Sequence, residues 1–155
     1  MINEITYHPI VWSRTLVGLA LCHDPSKTYG EEITAGLGPV WGAVRGAQVG
    51  VTGINHVFYG ADHELFCGLE CSQGNLDVPG LETRRIELGS YVYVHYNGPY
   101  EGLGEAYDRI RLELADRGLR PTGRALEIYG HWSEDPAQLV TEIVYGVTSA
   151  GQPEE

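Results

Sequence analysis

The residues with chemical potential in this 155-residue chain are one carboxylate and four aromatic rings: Glu142, Trp41, Tyr59, Tyr107 and Tyr129. Glu142 precedes Ile143-Val144-Tyr145 inside a strong strand pattern. Period-two alternation puts Glu142, Val144 and Gly146 on one face and Ile143, Tyr145 and Val147 on the other. If Glu142 faces the helices it is a buried anion, to be answered by pairing, protonation or a cationic ligand. If it sits on an edge it looks into water, and alternation does not choose between the faces. The rings belong to two matched pairs, Trp41 with Tyr107 and Tyr59 with Tyr129. Aromatic faces attract organic cations by about 0.5–2 kcal/mol per contact. Four rings and one acid would form a cage for a lipophilic cation, and the same rings would equally serve as core filling.

The pairing of the rings comes from an internal repeat. Gly36-Leu37-Gly38-Pro39-Val40-Trp41 reads like Gly102-Leu103-Gly104-Glu105-Ala106-Tyr107. Glu64-Leu65-Phe66-Cys67-Gly68-Leu69 reads like Glu142-Ile143-Val144-Tyr145-Gly146-Val147. Leu103, Tyr107, Ile110 and Leu114 share one helical face, ended by Gly118 and Pro121. A poorer helix is expected between Glu31 and Arg45, because Gly36, Gly38 and Gly42 lower its propensity. Pro39 would sit in its first turn or kink it. Strands are expected at 15–22, 55–60, 64–71, 84–96, 126–129 and 141–147, with Ser72–Gly80 as a linker between halves. Each half thus reads strand, helix, strand, strand. The expected class is α+β, with helices on one face of antiparallel sheet. We expect one domain over residues 1–155, with pseudo-repeats at about 1–72 and 82–150 and a frayed tail at 151–155.

Composition narrows the partners. The net charge of −11, from 10 basic and 21 acidic residues, disfavours direct nucleic-acid binding and favours cations. Cys22, Cys67 and Cys71 make an odd count and show no zinc-knuckle spacing, so free thiols in a reducing cytoplasm are expected. No signal peptide or spanning helix is read, and no membrane role is expected. His-Glu-x-x-His, Gly-x-Ser-x-Gly and a phosphate loop are all missing, so no metal or cofactor is expected.

From residue 84 to 148 the chain resembles the GyrI-like effector-binding domain, also found in AraC-type and MerR-type regulators. The resemblance rests on His95-Tyr96-Asn97-Gly98-Pro99-Tyr100-Glu101, Ala106-Tyr107, Leu126-Glu127-Ile128-Tyr129, Asp135-Pro136 and Thr141-Glu142-Ile143-Val144-Tyr145. It implies a duplicated strand-helix-strand-strand unit around a central cleft. It also implies binding of hydrophobic, cationic, multidrug-like molecules, with Glu142 as the central acid and Tyr107 and Tyr129 as lining rings. Trp41 and Tyr59 follow through the repeat. Gly146 departs from the family pattern, which carries proline there. With no basic recognition helix, a stand-alone sensor or sequestering protein is expected. A second reading is a hydrolase of strained cyclopropane-containing natural products, with Glu142 and Tyr129 or Tyr107 as the reacting pair. A third is a protein-interaction module, its acidic surface engaging a basic partner.

Overall fold

A computed structural model describes residues 4–47, 51–71, 78–130 and 133–149. In chain order the elements are β1 (Thr6–His8), β2 (Trp12–Cys22), α1 (Tyr29–Ala47), β3 (Val51–Tyr59), β4 (Glu64–Cys71), β5 (Glu82–Leu88), β6 (Tyr91–Asn97), α2 (Leu103–Asp116), β7 (Leu119–Tyr129) and β8 (Val140–Ser149). The fold is α+β, and β1–β6, β2–β4, β3–β4, β6–β8 and β7–β8 all pair antiparallel. Most of the expected linker (72–77), together with the tail, lies outside the described residues.

Two units emerge from the chain, residues 13–87 and residues 1–12 with 88–155. The first orders its strands β3-β4-β2-β5 and the second β7-β8-β6-β1. In each, one strand-helix-strand-strand stretch places its third strand between the first and the second. In each, the outer strand beside the first comes from the stretch of chain preceding the other unit's repeat: β5 lies beside β2, and β1 pairs with β6 through Thr6↔Tyr93 and His8↔Tyr91. The compact units divide the chain at 12/13 and 87/88, outside the sequence repeats themselves. A three-residue strand such as β1 has too little pattern of its own to declare its partner.

Both second strands share a further irregularity. In β3, Val51 and Asn55 oppose Cys71 and Leu69, and in β7, Pro121 and Ala125 oppose Val147 and Tyr145. Each strand carries two extra residues against one step of its partner, a bulge that re-aims the strand beyond it. In β7 the bulge contains Gly123 at φ +87°. It also explains Gly146: a Cβ there would stand 2.5 Å from Thr122 Oγ1 and 2.9 Å from the Arg124 carbonyl oxygen.

α2 buries Ala106, Ile110 and Leu114 against Val92, Val94 and Tyr96 of β6 and Ile143 and Val147 of β8. α1 is longer than its composition predicts. The Thr28 hydroxyl accepts the Glu31 N–H at 3.1 Å and caps its start. Pro39 lies inside the helix, where it removes a donor to Ala35. Both residues are exposed, so the freed carbonyl is on the solvent side of the helix. The buried line is Glu32, Gly36, Val40 and Val44, one step round from Ile33, Leu37 and Trp41, which are half-buried. Gly36 sets that rotation, because its missing side chain leaves room for Cys67 Sγ, 3.3 Å from where a Cβ would be. Gly42 has no such reason. It is exposed, and a Cβ would meet nothing within 4 Å. Gly42→Ala therefore should stabilise the protein by about 0.5–1 kcal/mol. Thermal unfolding will show a rise of roughly 1–4 °C.

Candidate functional site

In the unit of residues 1–12 and 88–155, the buried acid among the described residues is Glu127, on β7. It is 3% exposed. Strand alternation puts Ala125, Glu127 and Tyr129 on one face, and the register sets them opposite Tyr145, Ile143 and Thr141 of β8. This is the face that α2 covers, since Ile143 and Tyr145 belong to its packing cluster. Glu127 is therefore held between sheet and helix.

Two phenols meet it there. Tyr107, from α2, donates its hydroxyl to Glu127 Oε2 at 2.6 Å. Tyr129, two residues along β7, donates to Glu127 Oε1. Both donors are neutral hydroxyls. The rings continue outward. Tyr100 meets Tyr129 edge-on at 5.5 Å and 85°, and Tyr145 lies 5.9 Å from Tyr107 at a tilt of 55°. Four tyrosines thus gather around one carboxylate. A negative group among π-faces is suited to an organic cation, which gains from both.

The expected residues divide. Tyr107 and Tyr129 come together, but on Glu127 rather than on Glu142. Glu142 is half-buried on the opposite face of the sheet, opposite His95 of β6 and Ile128 of β7. Its hydroxyl partner is Tyr93. That phenol is pushed up to about 12 by burial first, then by the charge and hydrogen bond of Glu142. Register sets Glu142 one residue out of phase with Ile143, which faces α2, and so on the face away from Tyr107 and Tyr129.

Trp41 and Tyr59 belong to the 13–87 unit. Trp41 donates Nε1–H to Asn55 Oδ1 at 2.8 Å, a helix-to-strand bond of the same kind as Tyr107 to Glu127. Tyr59 meets Tyr29 edge-on at 5.5 Å, and Tyr29 stacks on His23 at 3.8 Å. His23 Nδ1 lies 3.0 Å from Glu32 Oε1, which also accepts the Asp24 N–H at 2.8 Å. Cys67 and Cys71 are buried and free, and burial pushes the Cys67 thiol up to about 12, which removes it as a nucleophile. Among the described residues no group of three or more His, Cys, Asp or Glu could hold a metal ion, and no helix is long and apolar enough to cross a membrane.

Sequence reasoning missed Glu127, although its signal was present. In Leu126-Glu127-Ile128-Tyr129 the acid alternates with apolar Leu126 and Ile128 and shares its face with a ring already singled out.

No curated protein matches the sequence. The structure is similar to the C-terminal domain of EcmrR, at 17% identity over 97% of this chain and 98% of that one, with a TM-score of 0.71. It is also similar to SAV2435 bound to tetraphenylphosphonium, at 14% identity over 94% of each chain and a TM-score of 0.58. A hydrolase from Listeria innocua matches at 13% identity, 94% of this chain and 92% of that one, with a TM-score of 0.58. These likenesses establish a shared fold. The model of the GyrI-like small molecule binding domain matches residues 61–147, more than half of the sequence. Over that span it takes in Glu127, Tyr107 and Tyr129 together, and the chain belongs to the GyrI-like family of small-molecule-binding domains.

Proposed function

We propose that this domain binds lipophilic aromatic cations, with Glu127 as the counter-charge and Tyr107, Tyr129, Tyr100 and Tyr145 as the rings that enclose them. The observation that carries the reading is a carboxylate, 3% exposed, that accepts hydrogen bonds from two phenols amid further aromatic rings. A bound organic cation would gain both from the carboxylate and from the ring faces beside it. The tetraphenylphosphonium held by SAV2435, a protein of the same fold, supports this ligand class. The role is that of a cytoplasmic sensor or sequestering module, and nucleic acid is not its direct partner. Trp41 and Tyr59 are the ligand-contacting rings proposed for the 13–87 unit. The shared strand-helix-strand-strand order of the two units supports their origin in a tandem duplication. The hydrolase reading gains nothing from this site, since a likeness at 13% identity transfers a fold and no reaction.

Calorimetric titration tests the proposal directly. Tetraphenylphosphonium should bind saturably. Triphenylphosphine oxide, a neutral aryl-phosphorus compound, should bind at least about tenfold more weakly. Equal affinity for the two, or no binding of the cation, would overturn the reading.

A further inference from the structure

Beside the tyrosine-bound acid stands a polar group with nothing to do. Thr141, on β8, is completely buried, and its hydroxyl has no hydrogen-bond partner. Buried hydroxyls almost always find one. The register explains why this one does not. Thr141 lies opposite Tyr96 on one side and Tyr129 on the other, so all three share the face covered by α2. Both flanking phenols direct their protons elsewhere: Tyr96 donates to the Pro99 carbonyl at 2.7 Å, and Tyr129 to Glu127. A valine would fill the same volume with the same β-branched stiffness and no orphaned oxygen.

The position of the orphan gives it meaning. Glu127 opposes Ile143, so Thr141 is its diagonal neighbour on the same face of the adjacent strand, about 7–8 Å away. That separation is within the span of a single aromatic ligand. An onium group at Glu127 would leave the ligand's outer part near the Thr141 hydroxyl. A pure hydrocarbon there would preserve the orphan, whereas a ligand hydroxyl would end it.

We propose that Thr141 is a specificity-determining residue of this site, selecting among aromatic cations those that carry a hydrogen-bonding oxygen. The inference rests on the cation reading above and deepens it. The ligand class becomes an aromatic cation with a phenolic or alcoholic hydroxyl, in place of an onium salt clad only in hydrocarbon. The hydroxyl is unpaired before any ligand arrives, so a hydrocarbon ligand leaves it as it was and only a ligand that pairs with it gains.

The test uses tetraphenylphosphonium and its ortho-, meta- and para-hydroxyphenyl derivatives, titrated against the wild-type protein, Thr141→Val, Thr141→Ser and Glu127→Gln. One hydroxyl isomer should bind the wild type about tenfold more tightly than the parent cation. Thr141→Val should erase that preference while holding the parent's affinity within about twofold, and Thr141→Ser should keep it. The ligand-free Thr141→Val protein should also melt about 2–4 °C higher, since it sheds an unpaired buried hydroxyl. A preference that survives Thr141→Val, no preference in the wild type, or a lower melting temperature for Thr141→Val would each overturn the proposal. If the parent cation binds and Glu127→Gln weakens it while no isomer gains, only the role of Thr141 falls. If the parent cation does not bind the wild type at all, the cation reading falls and this inference falls with it.

Discussion

Glu127→Gln will weaken tetraphenylphosphonium binding by about 30–100-fold and leave the fold intact. The substitution keeps the shape of the side chain and removes its formal charge. The amide can still accept from one phenol, and a phenol oxygen can accept from the amide, so the bonds of Tyr107 and Tyr129 have replacements in kind. What has no replacement is the attraction between anion and cation in a site screened by sheet, helix and rings. Such an attraction is worth roughly 2–3 kcal/mol, far above the ~0–1 kcal/mol of an exposed pair. At about 1.4 kcal/mol per factor of ten, that range gives the stated loss. Two controls sharpen the result. Triphenylphosphine oxide, having no charge to lose, should bind the mutant and the wild type alike. Glu142→Gln should change cation affinity by no more than about twofold, because its carboxylate faces Tyr93 on the other side of the sheet. The opposite pattern, with Glu142→Gln abolishing binding and Glu127→Gln neutral, would return the acid's role to the last strand.

That exchange of one glutamate for another shows what the sequence made legible. Strand content and the α2 stripe from Leu103 to Leu114 follow from local periodicity, which a single chain displays in full, whereas Tyr107 and Tyr129 are brought together only by the family resemblance. The face of a strand is a different kind of fact. Alternation separates Glu142 from Ile143 and Glu127 from Ile128, but only the partner strands and the helix say which set is covered. In β8 the covered set is Thr141, Ile143 and Val147, and the acid with the stronger strand context lies on the other face. The extent of α1 was hidden by Gly36, Gly38, Pro39 and Gly42. Yet Thr28 and Glu31 have the spacing of a capping box, and the hydroxyl does accept the Glu31 N–H. The exchange of β1 and β5 between units leaves no local trace at all, because an edge strand is chosen by whichever backbone stands open beside it.

Gly18→Ala, a change of a single methyl group, should destabilise the protein by about 3–5 kcal/mol and lower its melting temperature by roughly 6–15 °C. Gly18 on β2 pairs directly with Gly68 on β4. A Cβ on Gly18 would stand 2.0 Å from the Cys67 carbonyl oxygen and 2.6 Å from the Gly68 Cα. A Cβ on Gly68 would stand 2.6 Å from the Val17 carbonyl oxygen. Each strand's backbone occupies the space where the other's side chain would be. No rotamer change can relieve the clash, because the atoms in the way are main chain. The strands would have to part, and these two carry Leu16, Val17, Leu65, Phe66 and Leu69, all essentially inaccessible to solvent. Val17 and Leu69 also form the floor on which Val40 and Val44 of α1 pack, so the helix would lose its seat along with the sheet. The predicted cost is a large share of the ~5–15 kcal/mol that holds a domain of this size folded. Gly42→Ala in the same unit is the internal comparison, with the same methyl added to an exposed helix position that has nothing nearby to meet it. Thermal and urea unfolding of the two variants should move in opposite directions. A melting temperature for Gly18→Ala within about 2 °C of the wild type would show that β2 and β4 do not approach as closely as this pair of glycines implies.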